Sequence, residues 1–453
     1  MKAATVDQPK FISAYIQTVR AVVGWLTPKR LKVYPTAIAV ITLVAWLVSL
    51  AIGPGLTDIS RTIIGADFVA YYTGGRFFLE GRMAELFDFS AQEAFQAGLA
   101  SPVVTDKFFA FVYPPFSAVL YAPFAFGDYL AGLLLYWGVG LLTLALSLYL
   151  LRKEVMPASA PPTGRLLLIS FLFFPTLTWF LYGQNTVLTL LLYTLTFVLL
   201  RRGHDLAAGV ALGLLLYKPQ LAIALAVMLL VKLRWRALIG GVLGAGLWIA
   251  IGYGISPAAM RDFVRISPSV AELVRSGVSY KSWGVHSLYE FSFLLLDGLW
   301  RTGADILAVL LSAGGLLALI IWWRRTPWQP GIRAWDLTLA ATVALGLLIS
   351  PHLYLYDLML LLLPLAIVWS YHFHGTAGRP LDGGPLLAWT AVMYVAVFAS
   401  SYLTLAQQKL SQAVGLPEIA VQLSVPIIAG WIWQVSRTAQ RSALANPGPV
   451  GPH

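Results

Sequence analysis

Apolar runs of about 20 residues, the length a helix needs to cross the hydrocarbon core of a bilayer, recur along nearly the whole chain. Segments of about ten residues with alternating polarity, which would mark a membrane barrel, do not recur. The pattern therefore predicts an all-α polytopic membrane protein. Apolar runs and breakers place about 12 transmembrane helices near 35–53, 129–151, 165–182, 185–200, 205–217, 219–231, 236–256, 303–323, 335–350, 356–372, 385–405 and 418–435. The piece FVYPPFSAVLYAPFAFG, residues 111–127, is too short and too broken by proline to count as a span. It is expected as an interfacial or re-entrant helix.

Composition agrees with the pattern. Of 453 residues, 58% are hydrophobic and only 11% charged, with a mean hydropathy of +0.76, too apolar for a soluble fold of this size. The net charge of +11 is not a nucleic-acid footprint, because the basic residues sit in short clusters between apolar runs. Placing RKEVMPASAPPTGR, RRGHD, KLRWR, RRTPWQPGIR, HGTAGRPLDGGP and both chain ends on one side gathers 20 of the 31 Lys and Arg residues there. By the positive-inside rule that side is cytoplasmic. Residues 1–34 are then a cytoplasmic segment in which FISAYIQTVRAVVGWLTPKR can lie in the interface as an amphipathic helix. Residues 35–435 form the membrane domain, 436–453 a cytoplasmic tail, and two long loops, about 54–128 and 257–302, face out. The absence of cysteine excludes thiol chemistry and disulfides.

With this topology nearly every unexpected polar motif falls on the external side. These are ADFVAYYTGGRFFLEG with Asp67, FVYPPF with Tyr113, YGQN with Gln184 and Asn185, YKPQ with Lys218 and Gln220, GVHSLYEF with His286, and SPHLYLYD with His352, Tyr356 and Asp357. Lys218 is the most costly of them, a charge between apolar runs of about 13 residues, which needs an anion or a route to water. Pro219 breaks the helix beside it. Asp67 fits either a helix N-cap or a general base. The glycines of IGGVLGAGLW, Gly240 and Gly244 among them, suit close helix contact. No spacing of His and carboxylates marks a metal site, and none is expected.

The order of Asp67 with YYTGGRFFLEG, then VYPPF, GQN, KPQ and SPHLYLYDL resembles glycosyltransferase family 87, the polyprenyl-phosphate-mannose-dependent mannosyltransferases of the GT-C superfamily, over roughly residues 60–370. The resemblance implies a GT-C-like bundle in a bacterial inner membrane, with a site facing the periplasm or exterior and no cofactor. Its partners would be the bilayer, a sugar carried on a polyprenyl phosphate, and a glycolipid or glycan acceptor. It also implies that Asp67 and His352 are catalytic, Asp67 taking the acceptor proton in a single inverting displacement. Lys218 would then meet the donor phosphate, with Gln184, Asn185 and Gln220 as further donors. Tyr113, His286, Tyr356 and Asp357 would complete the substrate site. The chain reads WGVHSL where relatives look more like Asn-Gln-Ser-Leu, so acceptor recognition is expected to differ. A transporter or flippase for lipid-linked sugars, or a non-catalytic partner of an envelope polysaccharide assembly, would share the apolar spans and the buried cation. Transport, however, asks for polar residues at the midplane or on both faces.

Overall fold

The computed structural model describes residues 27–275, 282–373, 383–415 and 419–445. The expected N-terminal interfacial helix, up to residue 26, lies outside them, as does the tail from residue 446. Helix α1 (Pro28–Ile52) starts on Pro28, with the Thr27 hydroxyl accepting from the Arg30 amide. An insert follows with three short helices, α2 (Phe68–Leu79), α3 (Phe89–Ala100) and α4 (Phe116–Tyr121). Next come α5 (Tyr129–Val155), α6 (Thr163–Ser170), α7 (Phe174–Tyr182), α8 (Thr186–Arg201) and α9 (Asp205–Gly213). Two single turns, Leu214–Tyr217 and Pro219–Leu221, flank Lys218 before α10 (Ile223–Val231). The remaining helices are α11 (Trp235–Ile255), α12 (Pro257–Arg275), α13 (Leu288–Leu296), α14 (Arg301–Arg325), α15 (Arg333–Ile349), α16 (Leu362–Phe373), α17 (Gly383–Ala413) and α18 (Ser424–Ala445). A tight helical stretch, Leu355–Leu361, joins α15 to α16.

The protein is all-helical among the described residues, apart from isolated bridges between Thr57 and Ile63 and between Val285 and Tyr354. Helix α15 is buried on every side from Ala334 to Leu348, with Asp336, Thr338 and Thr342 among its buried residues, so it forms the axis of the bundle. Trp323, Trp335, Trp431 and Phe197 belong to the core of which it is part. A second core, with Phe68, Tyr71, Phe77, Phe111 and Tyr129, belongs to the insert between α1 and α5. Residues 54–128 are therefore a folded cap rather than an open loop. The 111–127 piece forms only α4 and one further turn, too short to span.

Among the described residues, five helices are long and apolar enough to cross a membrane: α1, α5, α11, α14 and α17. The pair α6–α7, bent by 83°, makes a sixth if it is one broken span. That is about half of the twelve expected, and the cause lies in the backbone. The expected spans 205–217 and 219–231, divided at Lys218–Pro219, each hold an α-helix of only nine residues, about 14 Å long apiece and too short to cross alone. The stretch from residue 356 likewise begins as a tighter helix. Gly240 and Gly244 of α11 do permit a close crossing. A Cβ on Gly240 would strike the Leu206 carbonyl, and one on Gly244 the Val210 carbonyl.

Candidate functional site

The site begins with a glycine. Gly183 ends α7 at φ +64°, and a Cβ there would lie 2.8 Å from the Gly65 carbonyl oxygen. Facing it is the turn Gly65–Ala66, with both residues at positive φ, which delivers Asp67. The Tyr182 carbonyl accepts a 3.0 Å hydrogen bond from the Asp67 amide. The glycine of GQN is thus the residue that lets the Asp67 turn dock beside Gln184. Asp67 precedes α2, but its side chain caps nothing; it bonds instead to Gln184. A Gly183→Ala variant is expected to lose about 1–3 kcal/mol, through backbone strain and the clash together. Thermal unfolding in detergent measures this, and an unchanged midpoint would show that the turn has room.

From Gln184 a chain of hydrogen bonds runs through four parts of the sequence. Tyr71 donates to Gln184 Oε1 at 2.6 Å, and Gln184 Nε2 donates to the Tyr356 hydroxyl at 2.9 Å. The Tyr71 and Tyr113 hydroxyls lie 3.1 Å apart, and Asn185 Nδ2 donates to Tyr121 at 2.8 Å. The rings of Tyr71 and Tyr121 stack with centroids 4.4 Å apart. Next to Asn185, Thr186 donates to Asp357 Oδ1 at 2.6 Å, and Lys218 Nζ reaches the same oxygen at 3.0 Å. The Lys218–Asp357 pair is almost wholly buried, 8% and 5% exposed at the side chains.

The lysine therefore has an anion of its own. The helix break at Lys218–Pro219 frees the ammonium from the helical stack, and Asp357 answers the charge, so Lys218 does not need to reach water. Asp67 and His352 stand near the same pair and feel its charges. Burial drives the Asp67 carboxyl up to about 6; its bond from Gln184 and the Lys218 charge pull it down, and Asp357 pushes it further up. Burial, aided by Lys218, drives His352 down to about 4 against the pull of Asp357. Near neutral pH Asp67 is thus mostly a carboxylate poised to accept a proton, and His352 a neutral imidazole. Asp67, Tyr113 and His352 keep part of their surface open, whereas Gln184, Asn185, Lys218, Tyr356 and Asp357 are buried.

Eight of the ten candidate residues come together here. Gln220, half-buried on the turn after Pro219, is joined to the group by no bond among the described residues. His286 stands apart: it is fully buried, with Ser424 Oγ 2.6 Å from Nδ1 and Ser401 Oγ 3.0 Å from Nε2. Tyr71, Tyr121 and Thr186 join the group without having stood out in the sequence. Tyr71 lies inside the AYYTGG stretch and Thr186 directly follows GQN, so neighbouring positions held the signal. Among the described residues no group of three or more His, Asp or Glu is disposed to hold a metal ion.

The model of glycosyltransferase family 87 matches residues 111–351, more than half of the chain. The chain belongs to glycosyltransferase family 87. It is therefore a glycosyltransferase carrying several membrane-length apolar helices. No curated protein and no solved structure matches it. In this family 87 glycosyltransferase the matched region contains Tyr113, Gln184, Asn185 and Lys218. It begins after Asp67 and ends one residue before His352. The family match does not extend to those two residues.

Proposed function

We propose that the protein transfers a sugar, mannose by its family resemblance, from a polyprenyl-phosphate donor to an acceptor hydroxyl at the external face of a bacterial inner membrane. The observation that carries this reading is a partly open carboxylate, Asp67, close enough to a buried ammonium, Lys218, to feel its charge. The acceptor oxygen attacks the anomeric carbon as the bond from that carbon to the phosphate oxygen breaks. The bonding electrons leave with the polyprenyl phosphate, and the acceptor proton passes to Asp67. Attack opposite the leaving group inverts the anomeric centre, and no second carboxylate is needed as nucleophile. Negative charge grows on the departing phosphate, so a fixed cation beside it lowers the barrier. Lys218 spends one N–H on Asp357 and has two left for the phosphate.

The test uses the purified protein in lipid nanodiscs with polyprenyl-phosphate-mannose and a panel of lipid-linked acceptors. Transfer with inversion is expected. Transfer with retention, or none from this donor while another lipid-linked sugar is used, would overturn the mechanism or the donor assignment respectively.

A further inference from the structure

His286 lies outside the catalytic group, yet it is tied to it by backbone. Its amide donates to the Leu353 carbonyl at 2.7 Å, Val285 bridges Tyr354, and the Ser287 hydroxyl donates to the Pro351 carbonyl at 3.1 Å. Residues 285–287 thus grip the linker 351–354, which carries His352 and leads directly into Tyr356 and Asp357. The grip is anchored from behind by α17 and the start of α18. Gln422 Nε2 donates to the Trp283 and Val285 carbonyls at 2.8 and 3.0 Å, while its Oε1 accepts from Ser400 and from Thr404 at 2.9 Å. The His286 ring fills the centre with one nitrogen donating and the other accepting, and burial drives it down to about 3, so it stays neutral at any working pH. A fully satisfied buried polar cluster of this kind fixes one arrangement, because every alternative strands a polar group.

We propose that His286 is a positioning residue, a clasp that locks residues 351–354 and so sets where His352 and Tyr356 stand against Asp67 and Lys218. The clasp draws on Ser400, Ser401, Thr404, Gln422 and Ser424, which lie beyond the matched family region. The proposal deepens the transferase reading and rests on it.

The test compares the native protein, His286→Ala, the milder Ser401→Ala, and Thr342→Val. The last removes the acceptor of the Trp323 indole inside the bundle, away from the linker. Hydrogen exchange over residues 350–357 is expected to quicken about tenfold in His286→Ala, less in Ser401→Ala, and not in Thr342→Val. In transfer assays His286→Ala is expected to lose kcat by about a hundredfold while donor KM stays within about twofold, since Lys218 and Gln184 come from other elements. Native exchange rates in both clasp variants, or a kcat loss no greater than in Thr342→Val, would overturn the clasp. Should the native protein itself move no sugar, the transferase reading fails, while the exchange result still decides the clasp.

Discussion

Asp67→Asn is expected to cut turnover by about 10²–10⁴-fold, the range a positioned general base supplies, while making the folded protein more stable at neutral pH. The two effects have one origin. In the fold the Asp67 carboxyl sits at about 6, against 3.8 for the ordinary group, chiefly because burial penalises its charge. A carboxyl raised in this way lends stability only in its protonated form. The contribution is complete below pH 3.8, is lost as pH rises through about 6, and is absent above it. Above pH 6 the native protein holds a carboxylate the fold disfavours, at a cost of about 1–3 kcal/mol. Asparagine keeps the shape and removes the charge, so its melting temperature should exceed the native one at pH 7.5 and converge on it near pH 4. Activity runs the other way. Only the carboxylate accepts the acceptor's proton, so native kcat/KM should climb about tenfold per pH unit up to about 6 and then level. An Asn variant that turns over like the native protein, or a native profile flat between pH 5 and 7, would remove Asp67 from the mechanism.

That a costly buried residue is also the one to which chemistry is assigned bears on what the sequence could disclose. Polar residues stranded in apolar surroundings announce themselves, because hydrocarbon makes each of them expensive. Tyr113, GQN, Lys218 and SPHLYLYD are visible for that reason, and the fold brings them together. Partners are less visible. The resemblance implies a place for Asp357 in the substrate site, and the structure pairs it with Lys218; their 139-residue separation leaves no local pattern that couples them. His286 looks similar to the others by motif and stands elsewhere, because a short polar stretch signals burial in polar company without saying whose company. The described residues hold fewer membrane-length helices than the twelve expected for a different reason. Hydropathy and Pro219 mark the division at Lys218–Pro219, but only the backbone reveals that the α-helix on each side is just nine residues long, too short to cross alone. The breaks that spoil the count are also what place Lys218 beside Asp357, so the departures from regular helices fall at the candidate site.

Lys218→Met should damage both stability and catalysis, and a second substitution can separate them. Alone, it leaves the Asp357 carboxylate buried with Thr186 but no cation, which costs about 3–5 kcal/mol. It should also cut turnover by about 10²–10³-fold, because the charge growing on the departing phosphate loses its fixed cation. The double variant Lys218→Met with Asp357→Leu replaces the pair by apolar side chains of similar volume, and such swaps are often neutral or stabilising. Its unfolding midpoint is therefore expected to return near the native value, with turnover still down by the same factor. If the double variant recovers turnover along with stability, Lys218 is only a structural partner of Asp357, and the donor phosphate must be met elsewhere. If turnover stays lost in a protein that melts like the native one, the lysine acts on the reaction itself. Under that outcome Asp357 also has a definite role, because a lysine shared between carboxylate and phosphate stays in place when the polyprenyl phosphate departs, ready for the next donor.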